Sequence, residues 1–327
     1  MRCNSPREIS RRSLLSYAGG ALAMAAGAAR AATSTDPDAK TSKLILLGTG
    51  AGPVLGGERG MTASVVTVGN SAYVIDCGYG AAAQMAKYKI PLKSIAAIFI
   101  THRHPDHDLD LGALLFMMWL QGRRETISIY GPSSIAESVD HLLKASAPDL
   151  AFFAKDLAMP PMPPVEVHEI AAAGAVMQDS NVRVASALVD HPPVVPALAY
   201  RFDLPDRSIV FSGDTAPTDA VARLAKGADI LVHEASDTDA ILAAIRSRSD
   251  GASPEGFDPQ RFRDHIEKTH SSAEEAGRIA AAAGVKTLVL NHLGPSSSLA
   301  VPDEVWRQKA ASRFQGGIVV GHDGLVL

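Results

Sequence analysis

The chain has 327 residues, of which 46% are hydrophobic and 20% are charged. This balance excludes an intrinsically disordered protein and is sufficient for one large domain with a full hydrophobic core. The formal net charge is −4. Because proteins bind nucleic acid largely through basic contacts to phosphate, an acidic chain is poorly suited to that class of partner.

The first 31 residues differ in composition from the rest of the chain. Arg11 and Arg12 precede an uncharged stretch, residues 13–29, and Ala29-Arg30-Ala31 offers a small-residue cleavage site. A membrane anchor is the competing interpretation, but a span needs roughly 20 apolar residues and this stretch is shorter. We therefore predict a twin-arginine-type signal peptide over residues 1–31, a periplasmic or secreted protein, and no stable membrane anchor.

Removal of this leader makes the chain more acidic. The leader contains five arginines and one glutamate, which leaves 26 basic and 34 acidic residues and a net charge of −8. A small anionic substrate is still compatible with this charge if bound metal ions supply local positive charge.

Apolar patterning predicts strands and helices in the first half of the mature chain. Strands are expected at 43–49, 62–67, 72–76 and 96–101, and helices at 79–88, 109–121 and 132–146. Residues 147–168 contain Met159-Pro160-Pro161-Met162-Pro163-Pro164, which predicts an irregular crossing segment.

The strand expected at 96–101 leads into the most informative stretch of the sequence, residues 101–107. It contains His102, His104, Asp106 and His107, four metal-ligand side chains within six positions. Imidazole and carboxylate together suit Zn, Mn or Fe better than Ca or Mg. A polar turn that binds nothing is the alternative, but such dense ligand types favour a metal site.

Three further strand-like runs in the second half each end in a candidate ligand. The runs lead to Asp190-His191, Ser212-Gly213-Asp214-Thr215 and Asn291-His292. Each alone could be an ordinary polar turn, but together they complement the first motif. Strands are expected at 182–190, 197–203, 207–213, 229–232 and 286–291, helices at 216–226, 273–283 and 303–312, and a polar surface loop or mobile flap at 249–268.

The ordered motifs resemble those of the metallo-β-lactamase fold hydrolases, in the branch with ribonuclease Z and the bacterial arylsulfatases of this fold. The resemblance runs from about Leu44 to the C-terminus, so the mature chain, residues 32–327, is expected to form one hydrolase domain. Further matching segments are Leu47-Gly48-Thr49-Gly50, Val74-Ile75-Asp76-Cys77-Gly78, Tyr130-Gly131-Pro132, Leu231-Val232-His233-Glu234-Ala235 and Thr269-His270-Ser271-Ser272. The resemblance implies an α/β fold, a four-layer αββα sandwich.

The same resemblance implies a dinuclear metal site. His102, His104 and His191 would bind one ion, Asp106, His107 and His292 the other, and Asp214 would bridge both. Two Zn²⁺ ions are expected, with Mn²⁺ or Fe²⁺ as alternatives. A hydroxide held by the ions would attack the ester, with Asp106 orienting it. Asp76 is expected to brace the ligand loops by hydrogen bonds.

His270 is the candidate for proton transfer to the leaving group. Ser272 and Glu275 form a capping-box pattern, so His270 should stand just before a helix. The resemblance places His233 and Glu234 in the same pocket, where a role in supporting the ligands is an equally good interpretation.

The expected function is that of an exported dinuclear-metal hydrolase that cleaves a small sulfate or phosphate ester. An arylsulfatase-like activity is the first expectation. The alternatives are a phosphodiesterase of the ribonuclease Z or cyclic-nucleotide type, a lactone or β-lactam hydrolase, and a non-catalytic metal-binding scaffold. Nucleic acid is a disfavoured partner because the chain is acidic and lacks a long Lys/Arg/Gly insertion of the kind ribonuclease Z uses to grip tRNA. The sequence leaves the oligomeric state open, with a homo-oligomer as one option.

Overall fold

The computed structural model describes residues 41–53, 57–247, 257–296 and 301–327. The expected signal peptide and residues 249–256 of the expected loop lie outside these ranges. Within them, none of the helices combines the length and apolar character that a membrane crossing requires.

Six strands form the first sheet in the order in which they occur in the chain. They are β1 (Ser42–Gly48), β2 (Ala63–Val68), β3 (Ser71–Cys77), β4 (Ile95–Phe99), β5 (Ile127–Pro132) and β6 (Val165–Ile170). Strands β1 to β3 pair antiparallel and β3 to β6 pair parallel. The parallel part brings the C-terminal ends of β3 and β4 to one edge, where the ligand loop begins.

Seven strands form the second sheet, which also follows chain order. They are β7 (Gly174–Gln178), β8 (Arg183–His191), β9 (Val194–Asp203), β10 (Ser208–Phe211), β11 (Ile230–Ser236), β12 (Thr287–Gly294) and β13 (Gly317–Val320). Strands β7 to β10 pair antiparallel and β10 to β13 pair parallel. The C-terminal ends of β10, β11 and β12 therefore share one edge.

Helices cover the outer faces of both sheets. They are α1 (Ala81–Lys87), α2 (Pro105–Asp108), α3 (Leu111–Leu120), α4 (Ile135–Asp156), α5 (Asp219–Leu224), α6 (Thr238–Arg246), α7 (Pro259–Thr269), α8 (Ala273–Ala283) and α9 (Asp303–Ala311). Buried side chains form one core between the sheets, around Phe99, Tyr200 and Phe202, and one between each sheet and its helices. This arrangement confirms the expected four-layer αββα sandwich.

Two of the segments assigned from the sequence differ from that expectation. The predicted helix 132–146 is too short, since α4 continues through Pro148 to Asp156. Proline normally disrupts a helix because it removes one hydrogen bond and crowds the preceding turn, but the surrounding turn of α4 is largely exposed, which leaves room for it. The crossing segment 147–168 is therefore half helix, and it ends in the start of β6.

The other difference concerns residues 249–268. The second half of this expected loop is helix α7, which begins at Pro259. The side chain of Asp258 accepts hydrogen bonds from the backbone N–H groups of Gln260 and Arg261. An aspartate followed by proline is a common helix start, so this signal was present in the sequence.

Candidate dinuclear metal centre

The ligand motif lies where β4 ends and the short helix α2 begins. Residues 100–104 form the connection, with His104 at the N-cap of α2 and Pro105 at its first position. The single turn of α2 contains Asp106 and His107, and both are buried, as is His102 three residues after the end of β4. A strand end and a helix start fix the ligands more rigidly than a free loop would.

The first cluster contains His102, His104, His191 and Asp214, with one potential ligand atom of each within 4.8 Å of the others. His102 Nε2 and His191 Nε2 lie 3.0 and 3.3 Å from His104 Nδ1. His102 Nε2 is 3.8 Å from Asp214 Oδ2. Strand ends of both sheets thus supply one group of nitrogens and a carboxylate.

The second cluster contains Asp106, His107, His292 and the same Asp214. Asp214 Oδ1 lies 3.3 Å from His107 Nε2, and Asp214 Oδ2 lies 3.2 Å from His292 Nε2. Asp106 Oδ2 lies 3.2 Å from His292 Nε2. Asp214 therefore stands between the clusters, and the structure brings together all seven side chains that the sequence pattern singled out as ligands.

Two β-bulges direct residues toward this centre. Asp76 is an extra residue in β3 between the paired positions Ile75 and Cys77, with φ 58°. His292 is an extra residue in β12 opposite β11, with φ 44°. A positive φ costs a non-glycine residue of order 1–3 kcal/mol and persists where the surroundings fix it, often at functional sites. The bulge in β12 lets Asn291 and His292 line the same cavity.

Hydrogen bonds from a second group of residues orient the ligands. Asp76 contacts His107 Nδ1 at 2.9 Å and accepts hydrogen bonds from Thr101 N and Oγ1 at 2.8 and 2.9 Å. This is the bracing contact expected of Asp76. His191 Nδ1 donates to the carbonyl oxygen of Thr269 at 2.8 Å. Such contacts set the ring orientation and basicity of a metal-binding histidine.

Gly52 also belongs to the site, although no sequence motif singled it out. Its backbone N–H donates to Asp106 Oδ2 at 2.9 Å. A Cβ at position 52 would lie only 2.7 Å from the Cβ of Asp106, so only glycine allows this approach. The glycine-rich segment that follows β1 was the available signal.

The donor groups fit two divalent cations. His107 Nε2 and Asp214 Oδ1 are buried, face each other and have no hydrogen-bond partner. Within the described part of the chain, no lysine or arginine forms an ion pair with Asp76, Asp106 or Asp214. Buried carboxylates need a compensating charge, and bound cations would supply it.

The protonation states of the first cluster also suit metal binding, which requires deprotonated donors. Burial lowers the pKa of His102 well below its ordinary value and that of His191 to about 4. Burial alone would raise the pKa of Asp214, but His292 and His107 hold it well below the ordinary value. The first cluster is thus a set of neutral imidazoles around an ionised carboxylate.

Glu234 and His270 form a buried pair beside the bridging carboxylate. His270 Nδ1 lies 2.9 Å from Glu234 Oε2 and 3.8 Å from Asp214 Oδ2. Burial works against protonation, but Glu234 and Asp214 raise the pKa of His270 to about 9. Glu234 Oε1 accepts a hydrogen bond from Thr215 N at 2.6 Å, which fixes the carboxylate. In the metal-free protein the Glu234–His270 pair therefore holds a proton at neutral pH, next to the bridging carboxylate.

His233 is not brought into this group. Leu231 packs in the core on the helix side of the sheet and Val232 in the core between the sheets, so His233 faces the helices while Glu234 lines the cavity at Asp214. The ring of His233 is fully buried, with Nδ1 2.8 Å from the Glu234 carbonyl oxygen.

Comparisons with known proteins agree with this geometry. A family model described as a beta-lactamase superfamily domain matches residues 72–293. The ribonuclease Z of Mycobacterium marinum is 34% identical over 287 residues, which cover 86% of this chain and 96% of that protein.

Two solved structures share the fold. The metallo-beta-lactamase fold protein YhfI from Bacillus subtilis has a TM-score of 0.63 and 20% identity, over 88% of this chain and 98% of YhfI. The short form of human tRNase Z (ELAC1) has a TM-score of 0.62 and 23% identity, over 87% of this chain and 98% of the human protein. The chain therefore belongs to the metallo-β-lactamase fold hydrolases, in the branch named for ribonuclease Z, and is a metal-dependent hydrolase of ester bonds.

Proposed function

We propose that this protein is a phosphodiesterase with a dinuclear zinc centre. The observation that carries the proposal is the Glu234–His270 pair, which holds a proton 3.8 Å from the carboxylate shared by both ligand clusters. An alkoxide leaving group is much more basic than a phenolate and depends more on a proton donor. The 34% identity to a ribonuclease Z supports the same bond type.

Different residues of the site would act on the attacking water and on the leaving group. Two bound cations would activate water and stabilise charge on the phosphoryl oxygens. Asp106 and Asp214 can accept a hydrogen bond from the attacking water and orient it. On the other side, Glu234 holds His270 through Nδ1, so Nε2 is available to donate a proton to the leaving oxygen.

A small or flexible phosphodiester suits the protein better than a folded RNA. The mature chain has an expected net charge of −8, and an RNA-binding surface requires clustered basic residues. We infer that the substrate is recognised mainly at the metal centre.

Aryl sulfate hydrolysis, the first expectation from sequence, has weaker support, because the relatives are named for a nuclease. A substrate panel tests the choice. The metal-loaded protein is assayed with bis-p-nitrophenyl phosphate, a dinucleoside monophosphate and p-nitrophenyl sulfate, each with and without chelator. We expect chelator-sensitive cleavage of both phosphodiesters. Turnover of the sulfate alone would refute the proposal, and cleavage of none would favour a scaffold.

We also propose export through the twin-arginine route, followed by cleavage after Ala31. The proposal rests on the arginine pair and the short uncharged stretch in residues 1–31. N-terminal sequencing of protein recovered from the periplasm should give a chain that begins at Ala32. An intact N-terminus in exported protein would argue for an anchor instead.

A further inference from the structure

Asp323, near the C-terminus, joins the two ends of the loop between β1 and β2. Thr49 begins this loop, and its N and Oγ1 both donate to Asp323 Oδ1, at 3.0 and 2.8 Å. Gly60 lies at the other end, and its N donates to Asp323 Oδ2 at 2.6 Å. One carboxylate thus holds both ends of the loop, with one oxygen for each end.

An arginine strengthens the same junction. The side chain of Arg59 is only 10% exposed. Its Nη1 donates to Thr49 Oγ1 at 2.9 Å and to the carbonyl oxygen of Gly321. The loop ends, Arg59 and the segment around Asp323 therefore form one hydrogen-bonded unit, which we call the loop anchor: Thr49, Arg59, Gly60 and Asp323.

The loop anchor leads to the second ligand cluster by two routes. Leu293 N donates to the Thr49 carbonyl oxygen at 2.8 Å, and Ala51 N donates to the Leu293 carbonyl oxygen at 3.1 Å. Leu293 follows the ligand His292 directly in the chain. By the other route, Gly52 N donates to the ligand Asp106 at 2.9 Å.

The first cluster has different supports. His191 is held by the Thr269 carbonyl oxygen, and His102 lies beside Thr101 Oγ1 at 3.1 Å. None of the hydrogen bonds in the described part of the chain joins the β1–β2 loop to His102, His104 or His191. Thr101 lies beside His102 and also supports His107 through Asp76, so the two clusters share that contact, but only the second cluster is hydrogen-bonded to the described part of the β1–β2 loop.

We propose that Asp323 is a positioning residue for one metal site only, the site formed by Asp106, His107 and His292. Through the loop anchor it sets the placement of Gly52 and Leu293, and through them that of Asp106 and His292. The proposal depends on the dinuclear centre but not on the identity of the substrate.

Metal titration without substrate tests this asymmetry. Metal-free protein is titrated with Co²⁺, with visible absorption reporting ligand geometry and calorimetry reporting affinity. A His191→Ala background isolates the second site, and a His107→Ala background isolates the first. Asp323→Ala should weaken Co²⁺ binding at the second site by about 10-fold, the lower end of the range for outer contacts of a metal site, and leave the first site unchanged. Asp323→Asn, which retains one acceptor oxygen, should lose less.

Asp229→Ala is the matched control. Asp229 Oδ2 accepts from Ser208 N and Oγ at 2.7 and 3.0 Å, the same pair of donor types that Asp323 receives from Thr49, but at the start of β10 and far from the ligand-bearing strand ends. This variant should keep both affinities even if its stability falls. Equal weakening of both sites in Asp323→Ala, an unchanged second site, or the same loss in Asp229→Ala would overturn the proposal. Because no substrate is present, these outcomes do not depend on whether the protein is a phosphodiesterase.

Discussion

Replacement of Glu234 by glutamine is the sharpest test of the proton donor. Glutamine keeps an oxygen for Thr215 N but removes the negative charge 2.9 Å from His270 Nδ1. The pKa of His270 is raised from 6.5 to about 9, and at 1.36 kcal/mol per pKa unit this is about 3 kcal/mol of stabilisation of the imidazolium. Burial opposes protonation of His270, so the stabilisation of its imidazolium comes from the neighbouring carboxylates. Most of this stabilisation should be lost in Glu234→Gln.

The loss of this stabilisation should change the pH dependence of kcat in a defined direction. His270 is a donor when protonated, so this contribution is present at low pH and is lost as pH rises through its pKa. In Glu234→Gln the alkaline limb of kcat should move to lower pH by about two units, following the loss of about 3 kcal/mol. Bound cations lower the pKa of His270 in the wild type and in Glu234→Gln alike. The prediction therefore concerns the difference between the His270 pKa values of the two proteins.

Leaving-group dependence provides the second readout. With a dinucleoside monophosphate, kcat at pH 8 should fall by about 10-fold in Glu234→Gln, because a shift of about two pKa units from about 9 lowers the protonated fraction of His270 from about nine-tenths to about one-tenth. In His270→Gln it should fall by about 10²–10⁴-fold, the usual contribution of a general acid. With bis-p-nitrophenyl phosphate the loss should be much smaller, because p-nitrophenolate leaves without a proton. The double variant Glu234→Gln/His270→Gln should be no worse than His270→Gln, since the two residues act as a unit. His265→Gln, on the exposed side of α7, is the control and should match the wild type. An equal loss on both substrates, or an unmoved alkaline limb, would refute the assignment.

Three further substitutions test the centre and its supports. Asp214→Ala should lose both metal ions, measured by elemental analysis after gel filtration, because Asp214 is the one residue common to both ligand clusters; retention of two ions would contradict the bridging position. Thr101→Val removes the hydroxyl that donates to Asp76 Oδ2 but keeps the backbone N–H that donates to Oδ1, and it should weaken zinc binding about 10-fold, whereas a Thr101→Ser variant, which keeps the hydroxyl, should bind zinc normally. Tyr200→Phe leaves the buried Ile100 carbonyl oxygen without its 2.9 Å hydrogen bond and should lower the free energy of unfolding of the metal-free protein by about 1–3 kcal/mol in urea; no change in stability would show that this contact contributes nothing.

Much of the architecture could be read from the sequence. Strands β1, β2, β3 and β4 and helix α8 lie within a few residues of their predicted positions, because their apolar patterns and caps are strong local signals. Strand β5, at the centre of the parallel part, was missed, since its short run gives little periodicity. Its stability comes from burial between β4 and β6, which a local pattern does not contain.

The seven candidate ligands were visible in the sequence because each lies at or just after the end of a predicted strand, and strands of one sheet that end at the same edge bring such residues together. The tertiary structure decided which neighbours take part. His233 and Glu234 are adjacent in the chain, yet strand alternation turns one toward the helices and the other toward Asp214. His292 reaches the centre only through a bulge with φ 44°. A side chain's face depends on register and bulges, and these are set by pairing with strands distant in sequence.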